Sequence, residues 1–285
     1  MIPAAFDYVR ASSVDEAVAA LAEHGDEAKV LAGGHSLLPL MRLRLAYPSV
    51  VVDIGRIDAL RGVREDAEML AIGAMTTHAA VVADPLVREH CGVLSAATGQ
   101  VGDPQVRNRG TIGGALAHGD AAGDLPAVVA ALEAELVVQG PGGRRTVAAR
   151  DFFVDYLETA LAADEVLVEI RVPKLDNGWG YDYQKFNRVA QAWAIVGSCA
   201  VVRRENGRIA EARVGLTNMG SVPVRATATE SALAGAAADP DALRSAAEQA
   251  AEGTEPPSDL NAQPDYRRHL ARVLTRRALE RAAGG

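Results

Sequence analysis

Past Pro173 the hydrophobic rhythm of the chain changes, and that change constrains the fold more than any other feature. Before it, short apolar runs alternate with stretches of helical spacing. After it, three alternating apolar runs follow one another with only short turns between, and helical segments come last. This order points to an α+β chain, and 285 residues leave room for about two domains. The segment Pro173-Lys174-Leu175-Asp176-Asn177-Gly178 carries turn residues suited to a boundary, which sets domains at 1–176 and 177–285.

Within the first unit, Ser13-Val14-Asp15-Glu16 reads as a capping box with Ser13 as N-cap and Glu16 at N3. Val14, Ala17, Val18 and Leu21 follow at helical spacing. Residues 29–32 and 50–54 read as strands and close a subdomain of residues 1–55. In 56–176, strands are expected at 70–74, 136–139, 146–148 and 166–172, with one helix over 85–98 and another over 125–133. In the second unit, residues 181–188, 193–204 and 209–217 predict a three-stranded antiparallel sheet, its last hairpin turned by Glu205-Asn206-Gly207. Helices at 229–237, 240–252 and 264–283 pack on it.

The chain's formal charge of −8 argues against a general nucleic-acid or anionic-membrane binder, since both need a basic surface. No apolar run reaches the roughly 20 residues of a membrane span. The start, Met1-Ile2-Pro3-Ala4-Ala5-Phe6-Asp7-Tyr8, lacks the basic and apolar regions of a signal peptide, so the expected location is the cytoplasm. Cys91 and Cys199 are the only cysteines. An iron–sulfur cluster takes about four thiolates and a structural zinc about four Cys or His ligands. This chain cannot hold a cluster alone, its histidines are scattered, and no metal site is expected.

Two glycine pairs stand at element boundaries, in Ala32-Gly33-Gly34-His35-Ser36-Leu37 and Thr111-Ile112-Gly113-Gly114. Glycine lets backbone approach a ligand closely, and successive N–H groups form an anion cradle, so a pyrophosphate held between two cradles is one reading. Such a pair is also the ordinary composition of a tight turn. On the first reading, a side chain at Gly33 or Gly113 enters the cradle. The chain contains no G-x-G-x-x-G, no Gly-Lys dipeptide of a Walker A loop and no G-x-S-x-G. Ser36 is then a phosphate hydrogen-bond donor and not a nucleophile. Asp124 is placed either to accept from a ligand hydroxyl or to cap the helix that Pro126 helps start. No acid–base cluster is visible, so no catalytic residue is expected. The last helix carries Arg267, Arg268, Arg272, Arg276, Arg277 and Arg281 beside an apolar stripe of Leu270, Val273, Leu274 and Ala278. It reads as a docked helix with a solvated basic face, or as a contact surface for an acidic partner.

The runs A-G-G-H-S-L-L-P-L-M from Ala32 and T-I-G-G-x-x-x-x-x-D-x-x-x-D-L-P from Thr111 resemble the FAD-binding medium subunits of molybdenum-containing carbon monoxide dehydrogenases, within the xanthine dehydrogenase family. The resemblance takes in the opening Ile2 to Tyr8, Gly73-Ala74-Met75-Thr76-Thr77, Gly102-Asp103-Pro104-Gln105-Val106-Arg107, Lys185-Phe186, Gly215-Leu216-Thr217-Asn218 and Arg276-Arg277-Ala278. It therefore covers nearly the whole chain. It implies a two-part FAD-binding domain of the vanillyl-alcohol-oxidase or PCMH type, followed by the small sheet-and-helix domain. By position it makes Ala32, Gly33, Gly34, His35, Ser36 and Leu37 one grip on the FAD pyrophosphate. Thr111, Ile112, Gly113, Gly114 and Ala115 make the other. It sets Asp124 near the ribityl and adenosine-side hydroxyls, adds Leu167, and puts Trp193 beside the isoalloxazine. Lys185, one of three lysines, falls near the flavin ring, where an ammonium would stabilise anionic reduced flavin and raise its potential. Two positions depart from the family: Ala115 where Asn is usual, and Ala192 where Asp is common.

The resemblance further implies partners. Substrate would be oxidised at a molybdenum cofactor on a large subunit, and electrons would pass through two [2Fe–2S] clusters on a small subunit to FAD here and on to an external acceptor such as a quinone. The assembly implied is a dimer of heterotrimers with no membrane span of its own, open to peripheral membrane association. Flavin subunits of related aldehyde, purine, nicotine and caffeine hydroxylases share the motifs, so the substrate is not specified. Ala115 and Ala192 also leave open a non-catalytic nucleotide-binding assembly protein that has lost FAD.

Overall fold

Ser13 caps the first helix as its spacing predicts: its hydroxyl accepts the Glu16 N–H at 3.1 Å at the start of Val14–His24. Glu16 does not return to Ser13. Its carboxylate takes the N–H and the hydroxyl of Ser12, at 2.8 and 2.7 Å, so the box closes one residue earlier. The structure, a computed structural model, describes residues 2–175 and 178–284. Asp176 and Asn177 of the expected boundary lie outside the described residues. The helix buries Val14, Ala17, Val18 and Leu21 against a parallel sheet of β1 (Asp7–Arg10), β2 (Ala28–Leu31) and β3 (Val50–Asp53), ordered β1-β3-β2. β1 buries none of its residues fully and so carries no apolar signal in the sequence.

A five-stranded antiparallel sheet follows. Its strands are β4 (Val63–Asp66), β5 (Met69–Gly73), β6 (Glu135–Gly140) and β7 (Gly143–Ala148). A hairpin of β8 (Phe153–Asp155) and β9 (Glu158–Thr159) precedes the central strand, β10 (Val166–Pro173), and the order is β4-β5-β10-β6-β7. β10 is buried on both faces: Val166 and Val168 join the core of the parallel sheet, while Leu167, Ile170 and Val172 join the core under the helices. A register shift between Leu167 and Glu169 accompanies the change of face. Two-sided burial explains its nearly continuous apolar sequence.

Several helices differ from expectation. The single helix expected over 85–98 is two, Pro85–His90 and Gly92–Thr98, broken at Cys91 with φ −149° and ψ 54°. The glycine-rich stretch after Thr111, for which the sequence predicts no element, contains a helix. Ile112–His118 is helical, and the Thr111 hydroxyl caps it by accepting the Gly114 N–H at 3.1 Å. All eight residues of the next helix, Asp124–Ala131, are buried. Short helices at His78–Ala83 and Pro104–Arg109 complete this half.

The C-terminal sheet has four antiparallel strands, not three: β11 (Trp179–Phe186), β12 (Val196–Glu205), β13 (Arg208–Thr217) and the two-residue β14 (Val224–Arg225), in that order. β12 begins at Val196, which leaves Trp193 in the preceding loop instead of in the strand. One face of this sheet enters the core of the first half through Tyr183, Cys199 and Val201, beside Leu94 and Val128. The other face, with Val196, Ala200 and Val202, packs against Leu233, Leu243, Leu270 and Leu274 of the last three helices. Gly180 makes this close packing possible, since a Cβ there would strike Ala282 O. Arg267 on the helix Pro264–Gly284 is not part of a solvated basic face. It is fully buried, donates to Ile195 O and pairs with Asp259 at 2.7 Å. No described helix is long and apolar enough to cross a membrane.

Candidate functional site

The connection from β2 to the helix Leu37–Leu43 is Ala32-Gly33-Gly34-His35-Ser36, and it lines a cavity of about 650 Å³, a volume typical of cofactor sites. Gly33 packs directly on the 109–110 backbone: a Cβ there would lie 2.8 Å from Gly110 Cα. Gly34 has φ +79°, a conformation that side chains with a Cβ disfavour. Ser36 lines the cavity and makes no capping bond to the helix it precedes.

The second glycine pair lines the same cavity from the first turn of the helix Ile112–His118. Gly113 donates its N–H to Ala74 O at 2.9 Å, and a Cβ on it would lie 2.7 Å from that oxygen. Gly114 comes close to the first pair, its Cβ position 3.6 Å from Ala32 Cβ. Gly33 and Gly113 are thus close-packing residues first. A side chain at either meets protein backbone before it could enter the cavity, contrary to the expectation from the motifs. Thr111 and Ala115 also line the cavity, whereas Ile112 turns into the core beside Leu116 and Leu125.

Asp124, 5% exposed, is the first residue of its helix, and Gly123 holds the N-cap position without a side chain, so the Asp124 carboxylate is not a cap. The Tyr183 hydroxyl donates to one carboxylate oxygen at 2.6 Å, and the Lys185 ammonium donates to the other at 2.8 Å. Lys185 also donates to Gln100 O at 3.1 Å, and the Gln100 amide donates to Tyr183 O at 3.1 Å. Burial pushes the Asp124 carboxyl above its ordinary range, against the pull of the Lys185 ammonium and the Tyr183 bond. Burial, and then the Asp124 charge, hold the Tyr183 phenol well above its ordinary value. Asp124 and Lys185 both line the cavity. Sequence reasoning misses Tyr183 and Gln100, because Tyr183 lies 59 residues from its partner Asp124 and no local pattern joins them.

Leu167 of β10 lines the cavity, and Trp193 stands at its rim, 55% exposed. Gln191 and Ala192 line it from the same loop between β11 and β12. The Gln191 amide donates to Asp103, the N-cap of the helix Pro104–Arg109, which ties that loop to the first half of the chain. His78 is a further lining residue outside both motifs.

These groups suit a long ligand with an anionic centre and a broad ring. Small residues bring bare backbone to the cavity, while Ser36, His35 and Lys185 supply hydrogen-bond donors. Asp124 supplies acceptors, and an indole stands half-exposed at the rim. FAD has that chemistry, and the residues present fit it. Burial pushes the Cys91 thiol up to about 12 and the Cys199 thiol further. Among the described residues, no group of three or more His, Cys, Asp or Glu is placed to hold a metal ion.

Comparison with known proteins agrees with this chemistry. Residues 4–175 match the family model of the FAD binding domain in molybdopterin dehydrogenase, and residues 181–282 match that of the CO dehydrogenase flavoprotein C-terminal domain. The chain is 44% identical to the carbon monoxide dehydrogenase medium chain of Hydrogenophaga pseudoflava, over 99% of this chain and 98% of that protein. It is 36% identical to subunit alpha of the 6-hydroxypseudooxynicotine dehydrogenase complex of Paenarthrobacter nicotinovorans, over 99% and 96%. A solved structure of the Hydrogenophaga pseudoflava carbon monoxide dehydrogenase, lacking the Mo-pyranopterin moiety of its cofactor, superposes with a TM-score of 0.97. It shares 45% identity and covers 100% of this chain and 99% of that one. With matching models over both halves and a full-length relative at this identity, the chain belongs to the carbon monoxide dehydrogenase-type flavoprotein subunits of molybdenum-containing oxidoreductases.

Proposed function

We propose that this chain binds FAD in the 650 Å³ cavity and serves as the electron-transfer subunit of a cytoplasmic molybdenum hydroxylase most like aerobic carbon monoxide dehydrogenase. In this reading it accepts electrons from [2Fe–2S] clusters on a small partner subunit and delivers them to an external acceptor such as a quinone. Substrate is oxidised on a large, molybdenum-binding subunit, and the assembly is a dimer of heterotrimers. The chain's working units are 1–176 and 177–285. The observation that carries the reading is the convergence of both glycine pairs and the Asp124–Lys185 pair on one cavity.

Bound FAD supplies chemistry in one- and two-electron steps that no side chain provides. The chain's own part is to hold and tune. Ala32, Gly33, Gly34, His35, Ser36 and Leu37 grip the pyrophosphate together with Thr111, Gly113, Gly114, Ala115 and the backbone of Ile112. Asp124 has acceptor capacity beyond its bonds to Tyr183 and Lys185 and serves the cofactor's hydroxyls. Leu167 and Trp193 offer apolar and aromatic surface to the ring system. Lys185 contributes positive charge, moderated by its carboxylate partner.

A second reading keeps the FAD role and changes the substrate to that of a related aldehyde, purine, nicotine or caffeine hydroxylase. Ala115 and Ala192, both lining the cavity, favour it, because they depart from the family pattern. The visible absorption spectrum of the chain purified with its partner subunits tests the shared part. Flavin bands over broad iron–sulfur absorption are expected. A preparation free of flavin absorption would overturn the FAD assignment and leave an assembly protein. Assaying that complex for carbon monoxide oxidation against the other substrates then separates the two readings.

A further inference from the structure

His78 opens the helix His78–Ala83 immediately after its cap, Thr77. Its position is fixed by backbone contacts: its N–H donates to Gly110 O at 2.9 Å, and Thr77 bridges to Thr111. The ring is thereby delivered to the seam between the two glycine motifs. Gly110 marks that seam. Gly33 packs on the Gly110 Cα, while the Cδ2–Nε2 edge of His78 packs close enough that a Cβ at Gly110 would lie 2.8 Å from Cδ2 and 3.1 Å from Nε2. Gly33, Gly110 and His78 all line the cavity. Nδ1, on the far edge of the ring, is sealed in protein without a hydrogen-bond partner.

This arrangement selects a tautomer. Burial first, then the neighbouring Arg107 and His35, push the imidazole down to about 4, so near neutral pH the ring carries a single N–H. Were that proton on Nδ1, a donor would be stranded in the interior. With the proton on Nε2, only a lone pair is stranded, and unpaired buried N–H groups are the rarer of the two defects. The N–H therefore lies on the edge beside Gly110, the residue on which Gly33 packs.

We infer that His78 is a further cofactor-binding residue, its Nε2–H donating a hydrogen bond to a phosphate oxygen of FAD. The inference rests on the FAD reading and adds a residue that neither glycine motif contains. A neutral donor grips the anion without placing a second positive charge beside Arg107.

The test uses the full chain with its partner subunits, stripped of flavin and titrated with FAD and separately with riboflavin, which has no phosphate, while flavin fluorescence is followed. His78→Phe keeps a ring and removes the donor. FAD affinity should fall about ten- to hundredfold, the worth of one hydrogen bond to a charged group, with riboflavin affinity changed less than about twofold. His78→Gln, whose amide nitrogen reaches the place of Nε2, should restore most of the FAD affinity, and the shorter His78→Asn should not. FAD binding by His78→Phe equal to wild type overturns the inference. So does an equal loss for FAD and riboflavin, which marks a merely structural role. Should His78→Phe not fold, equal FAD affinities in the Gln and Asn variants overturn it instead. A wild-type complex that takes up neither flavin overturns the cavity reading and this inference together, and shows it before any variant is made.

Discussion

At Asp124 and Lys185 the cavity keeps a charge pair almost out of water, with side chains 4% and 3% exposed. A bare lysine beside a ligand acts as a full positive charge, whereas a lysine bonded to a carboxylate at 2.8 Å acts largely as a dipole. Its pull on a bound ring is therefore weaker than the isolated residue suggests. Each partner is legible in the sequence, Asp124 from its motif and Lys185 as one of three lysines, but their union across 61 residues is not. Removing one partner of such a pair leaves the other buried and uncompensated. Lys185→Met should cost about 3 kcal/mol of stability at about pH 8. The sign of its pH dependence follows. Without the ammonium, the Asp124 carboxyl rises further above the ordinary 3.8, so the folded chain binds a proton more readily than the unfolded one. Stability lost at high pH should then return as pH falls through the folded value. Urea unfolding of the variant and the wild type at several pH values checks this. Parallel profiles would show that Lys185 does not hold Asp124 charged.

Among the elements, the helix Ile112–His118 shows why a glycine motif is easier to find than to interpret. Read as a loop, Gly113 has only a ligand to make room for. As the second residue of a helix docked on the end of β5, it has Ala74 to make room for, with Ala74 O 2.7 Å from its Cβ position. Gly114 meets mainly its own cap, its Cβ position 2.8 Å from Thr111 Oγ1. Gly113→Ala should destabilise the flavin-free chain by about 2 kcal/mol or more through overpacking against backbone, and Gly114→Ala by about 1 kcal/mol through the strained cap. Thermal unfolding of the flavin-free variants decides. Flavin loss in Gly113→Ala with an unchanged melting temperature would return the residue to the role of a simple cradle. The same contrast separates legible elements from hidden ones. β10 and β12 are long and apolar on both faces, and the helix Pro264–Gly284 is long enough for its buried Leu270, Leu274 and Ala278 to show helical spacing, so all three can be read from the sequence. The helices His78–Ala83 and Pro104–Arg109 have six residues each, too few for helical periodicity to register. β1 and β4 bury no residue fully and have no apolar signal to read.

For the whole molecule, the change of rhythm at Pro173 is legible and the joining of the halves is not. Tyr183, Cys199 and Val201 belong to the same core as Leu94 and Val128, so the C-terminal sheet completes the interior of the first half. Gly92 and Gly215 permit it, since a Cβ on either would strike the Tyr181 hydroxyl or Ala127 O. The cavity crosses the same junction, with Lys185, Gln191, Ala192 and Trp193 from one side and the glycine motifs from the other. Lys185 and Gln191 also hydrogen-bond across it, to Gln100 and Asp103. A ligand in such a cavity contacts both halves, and a shared core makes them unfold together. Adding FAD at about a hundred times its dissociation constant should stabilise the chain by about 2.7 kcal/mol. The gain should appear as an upward shift of one transition involving both halves. Calorimetry with and without FAD measures it, tryptophan fluorescence serving as a probe of the second half, where Trp179 and Trp193 reside. Two resolved transitions, with only one responding to FAD and tryptophan fluorescence following the other, would mean that the halves are thermodynamically separate. The Lys185–Asp124 pair would then be an interface contact and not part of a common core.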